Sequence, residues 1–215
     1  MAASHHHPDD RVTRPSLRLA ICLILLLQAA SAHAATAVAR VIPLSNGPNT
    51  FSLTTGALPA QAFLAHRGNG NAHGFDVLTL YIQASAWEGA RPQWQLVPAF
   101  DERDEKRQGL PRGEHLTLNT VDGADCRLSD FRLLAPTATS DAALILADRE
   151  LGDSFASPAP VSFRFFKLHK RAESFGRPSY YFEFDRERRA AKPYCDVGEA
   201  LLKELGVGPY QPAER

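Results

Sequence analysis

The chain has 215 residues with 24 basic and 24 acidic side chains, and hydrophobic residues make up 44% of it. This balance leaves no basic excess that would draw a nucleic acid or an anionic lipid surface. A chain of this length can bury a self-sufficient core, so it need not be a miniprotein built from disulfides.

The amino terminus has the pattern of a secretory signal peptide. Arginines precede the uncharged run LAICLILLLQAA, Leu19 to Ala30, which is shorter than the ~20 residues that cross a bilayer. Ala32 and Ala34 form an A-x-A site, which predicts cleavage after Ala34. The predicted mature protein, residues 35–215, is one domain that is secreted or periplasmic, with 21 basic and 22 acidic side chains and no membrane span.

Next along the chain, the segment HRGNGNAHGFD, residues 66–76, concentrates His66, His73 and Asp76. Imidazole and carboxylate groups bind ligands or a metal ion, so these three residues are candidates for a ligand site. The alternative is a turn, since glycine and asparagine adopt the positive φ values that turns need. In either case Asp76 is expected at the core edge, where the loop backbone or an arginine would hold its carboxylate.

Alternating apolar and polar residues predict a series of short strands. FDVLTLYIQ, 75–83, is apolar on both faces and is expected to be a central strand that is covered on both sides. In VSFRFF, 161–166, and YYFEFD, 180–185, polar residues return at every second position, which is typical of half-buried strands. The other predicted strands lie at 94–100, 115–121, 126–134 and 142–147.

The alternation is interrupted within 126–134 and at Phe166, and each interruption predicts a bulge or bend. Asp122-Gly123 between two strands predicts a hairpin. Seven or eight short strands without a long helical period predict an all-β fold, an antiparallel β-sandwich or flattened barrel.

One short helix is predicted at the carboxyl end, at about 196–205. Asp196 is expected to cap it, with Glu199 completing a capping box, and Gly206 is expected to end it. Ten residues are marginal as an isolated helix, so the apolar stripe is expected to pack against the sandwich rather than recruit a partner. The stripe consists of Val197, Leu201, Leu202 and Leu205.

After signal cleavage two cysteines remain, Cys126 and Cys195. In an oxidising compartment an even pair is expected to form a disulfide, which would tie the carboxyl end to the middle of the chain. The alternative is a pair of buried free thiols or a two-cysteine metal site, although no C-x-x-C spacing is present.

Aromatic residues indicate a second candidate surface. Sugar-binding sandwiches stack ligands on exposed Trp or Tyr, and Trp87, Trp94 and Tyr181 are not assigned to the core. Tyr181 is the best single candidate, since its face also carries Glu183 and Asp185. The alternative is that these rings pack inside or seal a rim.

No catalytic set assembles from these residues. The predicted function is therefore a non-enzymatic exported β-sandwich that binds a protein or glycan in the bacterial envelope or outside the cell, without a cofactor. Its candidate ligand residues are His66, His73, Asp76 and Tyr181. The alternative is a metal-assisted hydrolase built on the His/Asp cluster at 66–76, with His115 as a further ligand. A third hypothesis is an effector-neutralising or enzyme-inhibiting protein, in which a loop such as 101–113 fills the cleft of another protein. This would be a special case of binding.

Overall fold

The computed structural model describes residues 40–71, 73–85, 89–101, 113–152, 154–171 and 177–210. The predicted signal peptide at 1–34, Trp87 and most of the charged loop, 102–112, lie outside these residues. The described strands are β1 (Gly47–Ser52), β2 (Pro59–Arg67), β3 (Phe75–Ala84), β4 (Gln93–Leu96), β5 (Ala99–Phe100), β6 (Glu114–His115), β7 (Leu118–Asn119), β8 (Val121–Asp122), β9 (Arg127–Leu134), β10 (Ala143–Arg149), β11 (Val161–Lys170) and β12 (Tyr180–Arg189), and they are followed by the helix α1 (Val197–Leu205).

The strands form two curled sheets that face each other across an apolar core, in a sandwich or half-barrel. The smaller sheet has the order β1-β2-β3-β4, with β7 also pairing with β3, and the larger has the order β6-β5-β12-β11-β10-β9-β8. All pairings are antiparallel except that of β5 with β12. The predicted all-β fold with one short carboxyl-terminal helix is confirmed. The strand β3 is central in its sheet as predicted, but the expectation that both its faces are covered is wrong, because only its inward face is fully buried.

Two predicted strands are divided because the chain changes sheets within them. The segment predicted at 94–100 becomes β4 in the smaller sheet and β5 in the larger, separated by Val97 and Pro98. The segment predicted at 115–121 forms β6, β7 and β8, which belong to the larger, smaller and larger sheets in turn. It therefore bridges the two sheets at one end of the sandwich.

Both predicted irregularities are confirmed as register shifts, one beside Phe166 and one within β9. The pairing of β11 with β12 shifts between Phe165 and Phe166, which leaves Asp185 as the extra residue of β12. The pairing of β8 with β9 shifts between Val121 and Asp122, which leaves Leu128 as the extra residue of β9, whereas β9 pairs with β10 in unbroken register from Leu134 to Ser129. Its alternation is lost because both of its faces are buried, one by the smaller sheet and the other on the side of α1. The hairpin at Asp122-Gly123 joins β8 to β9 as predicted.

The helix α1 begins after Asp196, whose carboxylate accepts hydrogen bonds from the backbone of Gly198 and Glu199, and it ends at Gly206 in the left-handed region. Its buried residues, Val197, Ala200 and Leu201, pack on the outer face of the larger sheet, as predicted. Leu202, assigned to the buried stripe, is exposed instead, since it faces away from the sheet. The Glu199 side chain pairs with Lys203 rather than closing the capping box.

The disulfide between Cys126 and Cys195 is present, with its Cα atoms 5.6 Å apart. It joins the residue before β9 to the residue before the cap of α1. Across the described part of the chain, no helix has the length and the apolar character that spanning a membrane requires.

Candidate functional site

The predicted His/Asp cluster lies where β2 and β3 meet their connecting loop. His66 pairs with Asp76 across the hairpin, and its Nδ1 is 2.9 Å from Asp76 Oδ1. Asp76 is buried, and its other carboxylate oxygen accepts a 2.6 Å hydrogen bond from the Tyr210 hydroxyl. The prediction that the loop backbone or an arginine holds the Asp76 carboxylate is therefore wrong. Its partners are the imidazole of His66 and the phenol of Tyr210.

His73 contributes only its backbone to this region. Its N–H donates to the Asn71 side chain, and its carbonyl accepts from the Asn69 side-chain amide. A Cβ on Gly74 would lie 2.8 Å from the His66 ring, so the imidazole packs closely against this glycine in its contact with Asp76. Among the described residues, no group of three or more His, Cys, Asp or Glu side chains is placed to hold a metal ion. The contacts thus match the turn interpretation, with Asp76 as its anchor.

Tyr210→Phe is expected to lower the free energy of unfolding by about 1–3 kcal/mol, because a buried carboxylate oxygen of Asp76 loses its donor. Burial and the bond to Asp76 raise the pKa of Tyr210 well above its ordinary value, so the hydroxyl keeps its proton. Urea denaturation measures the effect. The control is Tyr81→Phe, on the outer face of the smaller sheet, with an expected change below about 0.5 kcal/mol. Equal losses in both variants would contradict the assignment.

Tyr181 lies in a packed cluster on the outer face of the larger sheet. Its ring contacts Phe100 edge-on at 5.6 Å and stacks with His169 at 5.8 Å between centroids. The Arg177 guanidinium lies 5.3 Å from the ring centroid. The side chain is buried, which leaves little ring area for a sugar.

The acids on the face of Tyr181 have cationic partners. Asp185 pairs with Lys167 at 2.6 Å and with Arg186 at 2.8 Å. The hydrogen bond from Lys167 holds the pKa of Asp185 below its ordinary value, with Arg186 adding to the effect. These ion pairs account for the acidic face without a ligand.

The outer face of the smaller sheet carries a set of aromatic rings, which we call the aromatic face. Phe63 on β2 and Trp94 on β4 are 51% and 45% exposed, and Tyr81 on β3 shares their face through the cross-strand register. Arg67, at the end of β2, is the one charged residue at the outward positions of β1, β2, β3, β4 and β7. Thr79, Gln61 and Gln83 are the direct cross-strand neighbours of Phe63, Tyr81 and Trp94.

The three rings follow a diagonal across the sheet. On β3, Thr79 lies opposite Phe63 and Gln83 lies opposite Trp94, so these two positions are four residues apart. The strands β2 and β4 are separated by two strand spacings. Strand geometry therefore places Phe63 and Trp94 roughly 16 Å apart, with Tyr81 about midway. The aromatic face is long enough for an extended ligand.

A second candidate lies inside the sandwich, at the end bridged by residues 115–121. Ser129, Asp148 and Arg164 occupy neighbouring positions on the inward face of β9, β10 and β11, and with 115–121 they line a cavity of about 220 Å³. We call it the polar cleft. Arg164 donates to Asp148 at 2.6 Å and to the buried Asp101 at 3.2 Å. Ser129 donates to the other oxygen of Asp148 at 2.8 Å.

Sequence reasoning left Trp94 as one of three candidate stacking rings, with packing inside as the alternative, and it missed Phe63 and the polar cleft. Phe63 stands in β2, a strand that was not predicted because its inward positions include the small residues Ala60 and Ala62. Arg164 was placed on the polar face of VSFRFF, but that face looks into the sandwich, and α1 packs on the side of Phe163. The sequence interpretation assumed that only one face of this strand is buried. It therefore missed that the neighbouring strands β10 and β11 are each covered on both faces.

No known family model matches this chain. No curated protein matches its sequence. A solved structure that it resembles is the crystal structure of CarG, with a TM-score of 0.58 and 18% sequence identity over 76% of this chain and 94% of that one. At this identity the likeness shows the fold alone.

Proposed function

We propose that this protein is an exported, non-enzymatic β-sandwich that binds an uncharged polysaccharide through the aromatic face. One observation carries the proposal: Phe63, Tyr81 and Trp94 line a sheet face whose described outward strand positions hold one charged residue, Arg67. Export is supported by the signal-peptide pattern of the sequence and is compatible with the disulfide.

The chemistry of the aromatic face matches that of a neutral sugar chain. Aromatic rings offer flat apolar surface to the C–H side of a sugar ring, and Tyr and Trp add a polar edge. The neighbouring Thr79, Gln61 and Gln83 carry uncharged donors and acceptors that suit sugar hydroxyls. Binding would desolvate few charges, because the face has few.

A protein partner is the competing occupant of this face. Protein interfaces rely on complementary charges for orientation and specificity, and the strand positions of the aromatic face offer only Arg67 for that purpose. A sheet face about 16 Å along its diagonal also suits an extended polymer better than a protruding side chain that needs a pocket. These features favour the polysaccharide.

Cosedimentation of the purified protein with three uncharged polysaccharides, cellulose, chitin and insoluble β-1,3-glucan, tests the proposal. Trp94→Ala and Phe63→Ala are each expected to weaken binding about tenfold, since a lost stacking contact costs on the order of 1 kcal/mol. The matched control is Phe155→Ala, which removes a ring that is 53% exposed outside the aromatic face. It is expected to bind as the wild type does.

Two results would overturn this function. One is sedimentation with none of the three polysaccharides, or retention that Trp94→Ala leaves unchanged. The other is capture of an envelope protein through Trp94 without retention on any polysaccharide, which would assign the aromatic face to a protein partner.

A further inference from the structure

The helix α1 leaves part of the outer face of the larger sheet open. Leu134 on β9, Phe165 on β11 and Leu205 at the end of α1 are only partly buried, at the edge of the apolar cluster beneath the helix. Together with Ala143 and Ile145 on β10 they line a trough of about 320 Å³, which we call the outer trough. A concave apolar surface of this kind suits the apolar part of a ligand.

Cationic side chains border the outer trough where it meets β11 and β12. Lys167, Arg186 and Arg188 line it and are exposed. Lys167 and Arg186 share the carboxylate of Asp185, and Arg188 pairs with Glu204 of α1 at 2.9 Å. Three cations and two carboxylates leave these groups a net charge of plus one, which attracts an anion to the edge of an apolar surface.

Lys167 and Arg186 keep donors for such an anion. An ammonium and a guanidinium each carry several N–H groups, and within the described structure each of these two groups uses one of them on Asp185. The Arg186 guanidinium also lies over the Phe165 ring, 4.3 Å from its centroid, which holds the cation beside the apolar lining. A carboxylate can therefore pair with both cations while the hydrocarbon attached to it lies on Phe165.

The dimensions of the outer trough fit a single alkyl chain. From Arg186 on β12 to Leu134 on β9 the lining crosses three strand spacings, which is roughly 14 Å. Carbon–carbon bonds of about 1.5 Å at tetrahedral angles cover this distance with about ten carbons. The volume of about 320 Å³ lies at the lower end of the ~300–1,000 Å³ range of small-molecule pockets, whereas a protein partner needs an interface of about 800 Å² on each side.

We propose that the outer trough binds a free medium-chain fatty acid. Its carboxylate pairs with Lys167 and Arg186, and its chain crosses Phe165 toward Leu134, with Leu205 of α1 against its side. The outer trough and the aromatic face belong to different sheets, so this binding is independent of the polysaccharide proposed above.

Calorimetric titration of the purified protein with decanoate, below its micelle concentration, tests the ligand class. Butyrate keeps the carboxylate but has a short chain, and decyltrimethylammonium keeps the chain but carries the opposite charge. Each comparison probe is expected to bind at least about tenfold more weakly than decanoate, because the first loses apolar contact and the second loses the pairing with the cations. Absence of decanoate binding at millimolar concentration would overturn the proposal, as would either comparison probe binding as tightly as decanoate.

Arg186→Gln and Lys167→Gln test whether decanoate binds at the cations of the outer trough. Each is expected to weaken decanoate binding at least about fivefold, while the free energy of unfolding stays nearly unchanged because exposed ion pairs contribute little to it. The matched control is Arg189→Gln, which removes an exposed arginine of the same strand that pairs with Glu150 at 3.2 Å outside the trough. It is expected to change the affinity less than about twofold. Decanoate binding that both trough variants leave unchanged would contradict the proposal.

Two other occupancies would give distinct results. If Trp94→Ala weakened decanoate binding while Arg186→Gln and Lys167→Gln did not, the aromatic face would hold the alkyl chain. If sedimentation velocity showed a dimer that Arg186→Gln dissociates, a second copy of the chain would cover the outer trough. Either result would overturn the assignment of a fatty acid to the outer trough.

Discussion

Arg132→Met is expected to lower the free energy of unfolding by about 3 kcal/mol, because it leaves a buried carboxylate without its main charged partner. Arg132 and Asp130 are both buried, and Nη1 lies 2.8 Å from Oδ1. Arg127 approaches the other oxygen of Asp130 at 3.4 Å, and this partial compensation keeps the loss at the lower end of the ~3–5 kcal/mol range. Arg132 also donates to the Gly208 carbonyl at 2.6 Å, so the variant loosens the segment after α1.

Urea denaturation followed by circular dichroism measures this loss. The informative control is the double variant Asp130→Asn, Arg132→Met, in which neither charge remains buried without a partner. The double variant is expected to recover part of the stability, with a coupling energy of about 2 kcal/mol. If Arg132→Met were within about 1 kcal/mol of the wild type, the pair would not hold the outer face of β9 as the geometry indicates.

The sequence predicted those elements whose pattern depends on local chemistry. The alternation in β3, β11 and β12 indicates strands whatever the rest of the chain does, and Asp196 and Gly206 mark the ends of α1 by their own backbone preferences. The register shift beside Phe166 was predicted from the wrong strand, because the extra residue is Asp185 of β12. The strand β11 itself alternates without interruption, with Phe163 and Phe165 on the side of α1 and Phe166 in the core.

The aromatic face was missed for a physical reason. In β2 the inward positions include alanines, while the large ring of Phe63 points outward. In an alternating pattern the large apolar residues are normally assigned to the buried face. For β2 the alternation is therefore weak, and it indicates the wrong face as the buried one. Trp94 was recognised only because tryptophan on any sandwich surface is a candidate for stacking, without information on what lies beside it.

The contacts between distant residues could not be predicted at all. Asp76 and His66 are ten residues apart and meet through the hairpin register, but Tyr210 reaches Asp76 from 134 residues away. The polar cleft depends equally on topology, since Asp148 and Arg164 meet only when β10 pairs with β11 in a particular register. Which face of β11 looks inward is decided by α1, which covers the other face.

Removing the disulfide by Cys126→Ala with Cys195→Ala is expected to cost on the order of 4 kcal/mol of stability. The two cysteines are 69 residues apart in the chain, so the bond excludes many conformations of the unfolded state that the reduced chain can visit. The native geometry does not depend on the bond alone. The Arg127 backbone N–H donates to the Asp196 carboxylate at 3.0 Å, and the buried residues of α1 still pack on the larger sheet.

Guanidinium denaturation of the double variant and of the wild type, with and without a reducing agent, tests this expectation. The reduced wild type is expected to match the double variant in midpoint, and both are expected to fold, because the helix cap and the apolar contacts of α1 remain. Trp94-dependent binding to polysaccharide is also expected to persist in folded reduced protein, since the aromatic face belongs to the smaller sheet, whereas the disulfide lies beside the larger sheet. A loss below about 1 kcal/mol would show that the reduced unfolded chain is already restricted. A double variant that loses the fold in the absence of denaturant would show that the position of α1 depends on the covalent link.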